Sequence, residues 1–106
     1  MTTLYSRPAG GRDTDAAVDT EGEAYSLLPS VSRPIKTKQV AVYVSALAFV
    51  GFGVSATPPA PTTANTIYQE AETVVPYVLT GNDAVEKYLY VYAVTDTILV
   101  RVSMFG

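Results

Sequence analysis

Residues 87–105, with the sequence KYLYVYAVTDTILVRVSMF, alternate between two sets of side chains with the period of a β-strand. The alternating set in the first half is Tyr88, Tyr90, Tyr92 and Val94, and in the second half it is Ile98, Val100, Val102 and Met104. This pattern predicts a β-hairpin closed by residues 95–97, because a three-residue loop sets Tyr92 opposite Val100 and keeps both sets on one face. We expect that face to form the core.

Composition limits what the chain can do. Its 106 residues hold one small domain at most, and 48% hydrophobic residues suffice for a core. Without cysteine there is no disulfide framework or thiolate zinc site, and without histidine the commonest acid–base residue is missing. The net charge of −3 argues against a nucleic-acid-binding protein. These counts predict a protein that is not an enzyme and holds no metal or other cofactor.

Residues 1–38 differ from the rest, because their apolar residues are sparse and aperiodic and are interspersed with glycines, prolines and charges. Such a composition does not offset its own ordering entropy, so the segment is predicted to be an extended, flexible arm. A helical turn over residues 13–18 is the only local structure expected in it. Residues 39–106 would then form the β domain, and the arm would reach a neighbouring subunit.

The most apolar stretch lies within residues 39–69, which include no Asp, Glu, Lys or Arg. All even-numbered positions of residues 40–54 are apolar, and this alternation together with many valines favours strands. Gly51 and Gly53 then indicate a bend or bulge. In a second interpretation, residues 40–56 form a single-pass membrane helix that anchors a small β ectodomain. The run is at the short limit for spanning a bilayer, so strands are preferred.

The remaining segments add strands and connections. Residues 57–63 form a stiff, extended, proline-rich connection, and residues 67–79 are predicted to be one or two strands interrupted near Pro76. The total is five or six short strands with no convincing helix. This predicts an all-β fold, a small antiparallel β-sandwich or open barrel with an extended N-terminal arm.

Three groups of polar side chains invite a chemical role, and each has a plainer interpretation. The acidic run of residues 13–23 does not fit the twelve-residue calcium loop, which leaves a solvated acidic segment. The carboxylate pair Glu70 and Glu72 could serve as an acid and a base, but no basic residue lies near it in the sequence, which favours a solvated pair. The tyrosine stripe of residues 88–92 could stack bases or sugars but lacks a basic groove, which favours a core or subunit interface.

The C-terminal third, residues 73–106, has a distinctive outline. It begins with the pair Gly81-Asn82 and a strand over residues 88–94. A turn at Thr95-Asp96 follows, then a strand over residues 98–102 that contains Val-Arg-Val, and the outline ends in Phe105-Gly106. In this outline the chain resembles the small β-structured virion proteins of tailed bacteriophages that decorate or cement the capsid.

The resemblance implies a non-enzymatic subunit that binds the outer surface of a phage head and stabilises neighbouring capsid subunits. Its partners would be the major capsid protein or other virion subunits, with homo-oligomers expected, and it would lie on the capsid surface after synthesis in the host cytoplasm. A position in the tail or head–tail connector is the alternative. The basic residues expected to bind a partner are Arg7, Arg12, Arg33, Lys36, Lys38 and Arg101.

Overall fold

The computed structural model describes residues 14–29, 37–79 and 87–105 of the chain. These residues form eight β-strands and contain no helix. The strands are β1 (Thr14–Val18), β2 (Glu23–Ser26), β3 (Gln39–Val44), β4 (Ala48–Gly53), β5 (Ile67–Gln69), β6 (Thr73–Val78), β7 (Tyr88–Ala93) and β8 (Ile98–Phe105).

The strands form two four-stranded antiparallel sheets, here called sheet 1, with the order β1-β8-β3-β6, and sheet 2, with the order β2-β7-β4-β5. The pairs β1–β8, β2–β7, β3–β6 and β4–β5 together resemble one long hairpin whose tip is the β4–β5 connection. Rolling that hairpin adds the pairs β3–β8 and β4–β7. This is the strand order of an eight-stranded jelly roll, and the predicted all-β antiparallel sandwich is confirmed.

Alternate side chains of each strand fill the space between the sheets. Sheet 1 contributes mainly valines, and sheet 2 contributes Leu89, Val91 and Val50. In β3 the even-numbered residues are completely buried, as the alternation predicts, and they are Val40, Val42 and Val44. Burial of each such side chain stabilises the fold by roughly 1.5–3 kcal/mol.

The predicted hairpin of residues 87–105 is wrong, although both of its strands exist. β7 pairs with β2 and β4 in sheet 2, whereas β8 pairs with β1 and β3 in sheet 1. Residues 94–97 therefore cross between the packed sheets, which are typically about 10 Å apart. Alternation identifies a strand and its two faces but not its neighbours, because any strand of matching pattern can supply the ladder.

The predicted count of five or six strands is also wrong, because β1 and β2 lie in the segment assigned to the arm. Residues 14–18 form β1 instead of the predicted helical turn. Both strands lie at sheet edges, and this segment buries Val18, Tyr25 and Leu27 in the core. Their pairing partners β8 and β7 are remote in sequence, which composition cannot reveal. The arm stays a prediction for residues 1–13 and 30–36, which lie outside the described residues.

Residues 40–56 do not form the helix of the second interpretation, because they contain β3 and β4. Across the described ranges, no helix is long and apolar enough to cross a bilayer. Side chains of a β-strand alternate between its two faces. In β3 this alternation directs the even-numbered valines to the core and places Tyr43 on the opposite face.

Strand β6 is an edge of sheet 1 and contains Pro76, which lies opposite Ala41. The amide of Leu79 donates to the carbonyl of Lys38 at 2.8 Å, which indicates that the backbone N–H and C=O groups of the odd-numbered residues in this segment point towards β3. The backbone groups of the even-numbered residues, Pro76 among them, point away from the sheet, so the missing N–H of Pro76 removes no ladder bond. The predicted interruption lies at residues 70–72, between β5 and β6, and not at Pro76.

Candidate functional site

The outer face of sheet 2 is aromatic. Because side chains alternate, the tyrosines of β7 point away from the core residues of that strand and lie beside aromatic residues of β4 and β5. The rings on this face are Phe49, Tyr68, Tyr88, Tyr90 and Tyr92. The prediction that these tyrosines share one core face with Val100 and Val102 is therefore wrong, since the alternate residues of β7 fill the space between the sheets, although Tyr90 and Tyr92 are themselves buried.

Residues 54–66, which join β4 to β5 and are called the strap below, lie over this aromatic face. The hydroxyl of Tyr90 donates to the Ser55 carbonyl at 2.6 Å and accepts from the Ser55 amide at 3.0 Å. The hydroxyl of Tyr92 donates to the Pro59 carbonyl at 2.7 Å. Tyr90 and Tyr92 are consequently only 3% and 0% exposed, although they face away from the core.

The end of the strap is fixed by its own side chains. Asn65 accepts a hydrogen bond from the Thr62 amide at 2.7 Å and donates one to the Ala60 carbonyl at 3.2 Å. The hydroxyl of Thr66 donates to the Thr62 carbonyl at 2.6 Å. Three prolines fix φ in the preceding residues 58–61. The stiff connection predicted from composition is thus a structured segment that rests on sheet 2.

Two glycines make room for this arrangement. A Cβ at Gly51 would lie 2.6 Å from the Asn65 carbonyl oxygen, so a side chain there would lift the strap from the sheet. Gly22, in the turn between β1 and β2, has a φ of +87°, and a Cβ there would overlap the ring of Tyr92. The bend or bulge predicted at Gly51 is instead a close approach of two backbone segments.

A buried polar bridge joins the two sheets beside the end of the strap. Gln69 of β5 donates from Nε2 to the Val42 carbonyl at 2.6 Å and to the Thr73 carbonyl at 3.2 Å. Its Oε1 accepts from the hydroxyl of Tyr77 at 2.9 Å. Burial raises the pKa of Tyr77, so this hydroxyl remains a donor at neutral pH. Sequence reasoning missed Gln69, whose only signal is an amide that directly follows Ile67 and Tyr68 at the end of a short strand.

The outer face of sheet 1 carries apolar side chains that no described segment covers. Val74, Val78 and Leu99 are 62%, 66% and 47% exposed. Two of them border a shallow depression of about 430 Å³, whose lining residues are Ala41, Tyr43, Val74, Leu99, Arg101 and Ser103. These neighbouring exposed apolar side chains make the outer face of sheet 1 a candidate interaction surface.

Two of the six basic residues predicted to bind a partner lie in the described part of the chain. Arg101 is exposed on the outer face of sheet 1, opposite Tyr43. Lys38 precedes Tyr43 by five residues, which is roughly 16 Å at about 3.3 Å per residue of strand. Because Arg101 is paired with Tyr43, Lys38 is about as far from Arg101. These two residues therefore do not form one basic patch. The others lie outside the described residues and are Arg7, Arg12, Arg33 and Lys36.

Within the described part of the acidic run, one carboxylate has a structural role. No group of three or more His, Cys, Asp or Glu within residues 14–29, 37–79 and 87–105 is placed to hold a metal ion. Asp19 accepts hydrogen bonds from the amides of Glu21 and Gly22, which makes it a turn residue. The hydroxyl of Tyr25 is buried without a hydrogen-bond partner in the described structure, and burial, with Glu23 adding to it, raises its pKa to about 12.

The outer face of sheet 1, which lacks cover from the described segments, is the candidate site, because the other outer face is occupied by the strap. Sequence reasoning named Arg101 as a residue expected to bind a partner but could not indicate which face the chain would cover itself. The available signal was the closeness of Gly51 and Gly53 to the proline-rich run. Comparisons with protein-family models, curated proteins and solved structures find no match for this chain, so the site is defined by its geometry.

Proposed function

We propose that this chain is a structural subunit of a virion, a capsid decoration or cement protein that binds protein subunits through the outer face of sheet 1. The observation that carries the proposal is the exposed, half-apolar depression around Arg101. Removing such a surface from water contributes about 25 cal/mol per Å² of apolar area. Adhesion is therefore the role that this face performs best.

The lining of the depression suits a protein partner. Tyr43 and Arg101 belong to the residue types enriched at protein interfaces, and Leu99 and Val74 add aliphatic contact. The polar groups of the lining are a phenol, a guanidinium and the Ser103 hydroxyl, which supply no carboxylate or imidazole base for catalysis.

The fold is compatible with this role without deciding it. Jelly rolls form viral capsid domains, lectins and cupins, so architecture alone does not assign a function. Sugar binding by the tyrosine stripe would need accessible rings, whereas Tyr90 and Tyr92 lie beneath the strap. Contact between proteins therefore has the better support. Arg7, Arg12, Arg33, Lys36 and Lys38 would add contacts to an acidic shell.

Binding to phage heads tests the proposal. Heads are purified from the phage that encodes this chain after deletion of its gene, and the purified chain is added and co-sedimented with them. We expect saturable binding that Leu99→Glu weakens at least about tenfold, a change of roughly 1.4 kcal/mol. Thr20→Glu, an exposed turn position, is the matched control and should bind like the wild type.

Two results would contradict the proposal. If the wild-type chain stays in the supernatant when mixed with heads but sediments with purified tails, the chain belongs to the tail or head–tail connector and not to the head. Equal binding by Leu99→Glu and Thr20→Glu would remove the outer face of sheet 1 from the contact.

A further inference from the structure

We infer that the strap of one copy docks in the depression on sheet 1 of a second copy, so that the chain assembles head to tail. The inference rests on the proposed function in one respect, the use of the outer face of sheet 1 as a contact surface, and goes beyond it by naming a second copy of the chain as another occupant of that face. The strap lies on sheet 2 and the depression on sheet 1, on opposite sides of the sandwich. One copy can therefore offer its strap while it receives another, which is a heterologous contact.

The strap has the properties of a preformed ligand. Most of residues 54–66 are exposed, and none is charged. Its backbone is held by the hydroxyls of Tyr90 and Tyr92, by Asn65 and by prolines. Little freedom remains to be lost on binding, whereas a flexible interface loses about 0.5–1.5 kcal/mol for each immobilised side chain.

The strap also offers hydrogen-bond acceptors that the depression can satisfy. Prolines contribute carbonyls without N–H groups, and within the described structure the carbonyls of Thr57 and Pro58 accept no hydrogen bond. Arg101 has five N–H donors and no acceptor, so it can donate to a strap carbonyl in addition to any partner in its own chain. The ring of Tyr43 beside it provides the aromatic surface on which proline-rich segments dock.

The sheet edges are poorly suited to association by strand addition. β5 has three residues and β2 has four. The outward-facing row of β6 contains Pro76. Short edges and edges that carry proline or charge discourage pairing with another chain. A second copy is therefore expected at a face of the sandwich.

The size of the face sets the expected strength of the contact. Four strands about 4.8 Å apart and six residues long cover roughly 400 Å² in projection. An interface of this size is small for a specific complex, so association should be weak and depend on concentration.

Sedimentation velocity between roughly 10 µM and 1 mM tests the inference in solution, without phage heads. We expect the wild type to form larger species as its concentration rises. Ala60→Glu in the strap and Leu99→Glu in the depression change exposed side chains, and each variant alone should stay monomeric. An equimolar mixture of the two retains one intact strap and one intact depression, so it should form a dimer that grows no further. Thr20→Glu should associate like the wild type.

Each other outcome overturns the inference. A wild type that is monomeric over the whole range has no such contact. Self-association of Ala60→Glu at wild-type strength would indicate face-to-face contact without the strap, and a mixture that stays monomeric would exclude head-to-tail docking. Circular dichroism verifies that the variants are folded. Because no heads are present, a chain that self-associates but does not bind heads refutes the proposed function and leaves this inference standing.

Discussion

The two outer faces of the sandwich both carry apolar and aromatic side chains, but the described residues cover only one of them. On sheet 2, Tyr90 and Tyr92 are buried by the strap and have their hydroxyls satisfied. On sheet 1, Val74 and Leu99 remain exposed around a depression. The described residues cover the outer face of sheet 2 but leave that of sheet 1 open, so the outer face of sheet 1 is available to a partner.

The difference follows from the connections of the jelly roll. The tip of the long hairpin, between β4 and β5, is thirteen residues long and can fold back over sheet 2. The connections at residues 45–47, 70–72 and 94–97 are only long enough to join their strands. Sheet 1 therefore receives no cover from these short connections. The substitutions below test whether the cover of sheet 2 contributes to stability and whether sheet 1 tolerates change.

The largest effect is expected for Gly22→Ala, which acts on the covered face. The new Cβ would adopt a φ of +87° and overlap the Tyr92 ring, so the free energy of unfolding should fall by about 3 kcal/mol. Urea denaturation followed by circular dichroism measures the loss. Thr20→Ala in the same turn is the control and should change stability by less than about 0.5 kcal/mol. A loss below about 1 kcal/mol for Gly22→Ala would contradict the close contact.

A smaller loss is expected for Gly51→Ala, where the methyl group meets the Asn65 carbonyl oxygen. We expect about 2 kcal/mol and faster amide hydrogen exchange in residues 54–66, because the strap must lift. Ala41→Val adds bulk at the centre of the uncovered face and should cost less than about 0.5 kcal/mol. Equal losses for the two substitutions would erase the distinction between the faces.

The pair Tyr92→Phe and Tyr43→Phe isolates the hydrogen bond from the ring. Loss of the bond to the Pro59 carbonyl should lower the free energy of unfolding by about 1 kcal/mol. Burial, with Tyr90 adding to it, raises the pKa of Tyr92, so this hydroxyl is protonated at neutral pH and able to donate. Tyr43→Phe on the open face should have almost no effect in thermal unfolding. The opposite ranking would mean that the strap is not anchored by this hydroxyl.

The smallest effect is expected for Tyr25→Phe, which removes a buried hydroxyl without a partner in the described structure. Stability at pH 7 should stay the same or rise by up to about 1 kcal/mol. The pKa of Tyr25 is raised from 10.0 to about 12 in the folded state. Between pH 10 and 12 the hydroxyl therefore ionises in the unfolded state before it does so in the folded state, and the free energy of unfolding of the wild type falls as the pH rises through this interval. The variant should therefore lose less stability than the wild type over that interval. A steeper loss in the variant would contradict the assignment.

Sequence reasoning identified most strands and their faces but none of their neighbours. The alternation of Val40, Val42 and Val44 fixed the inward face of β3, since only a period of two buries them together. The same reasoning joined residues 88–94 to residues 98–102 in one hairpin, whereas they lie in different sheets. Local pattern contains no information on which remote strand completes a ladder, so the tyrosines were placed in the wrong layer.

The candidate site was predictable only in part, for the same reason. Arg101 could be placed on a half-apolar face from its neighbours Leu99 and Ser103, but its depression also needs Tyr43 and Val74, from strands that are distant in the chain. Those residues come together through the pairing of β8 with β3 and of β3 with β6.

The sequence by itself determined that this protein is all-β, with a sandwich or an open barrel as the expected architecture, and that it has no histidine or cysteine. Period-two alternation and composition are local properties of the chain, so they can be read without the structure. Only the tertiary structure decided which strands pair, that the proline-rich segment covers the tyrosines, and that no described segment covers the face around Arg101. These outcomes depend on where residues far apart in sequence meet, and that is settled by the packing of the whole chain.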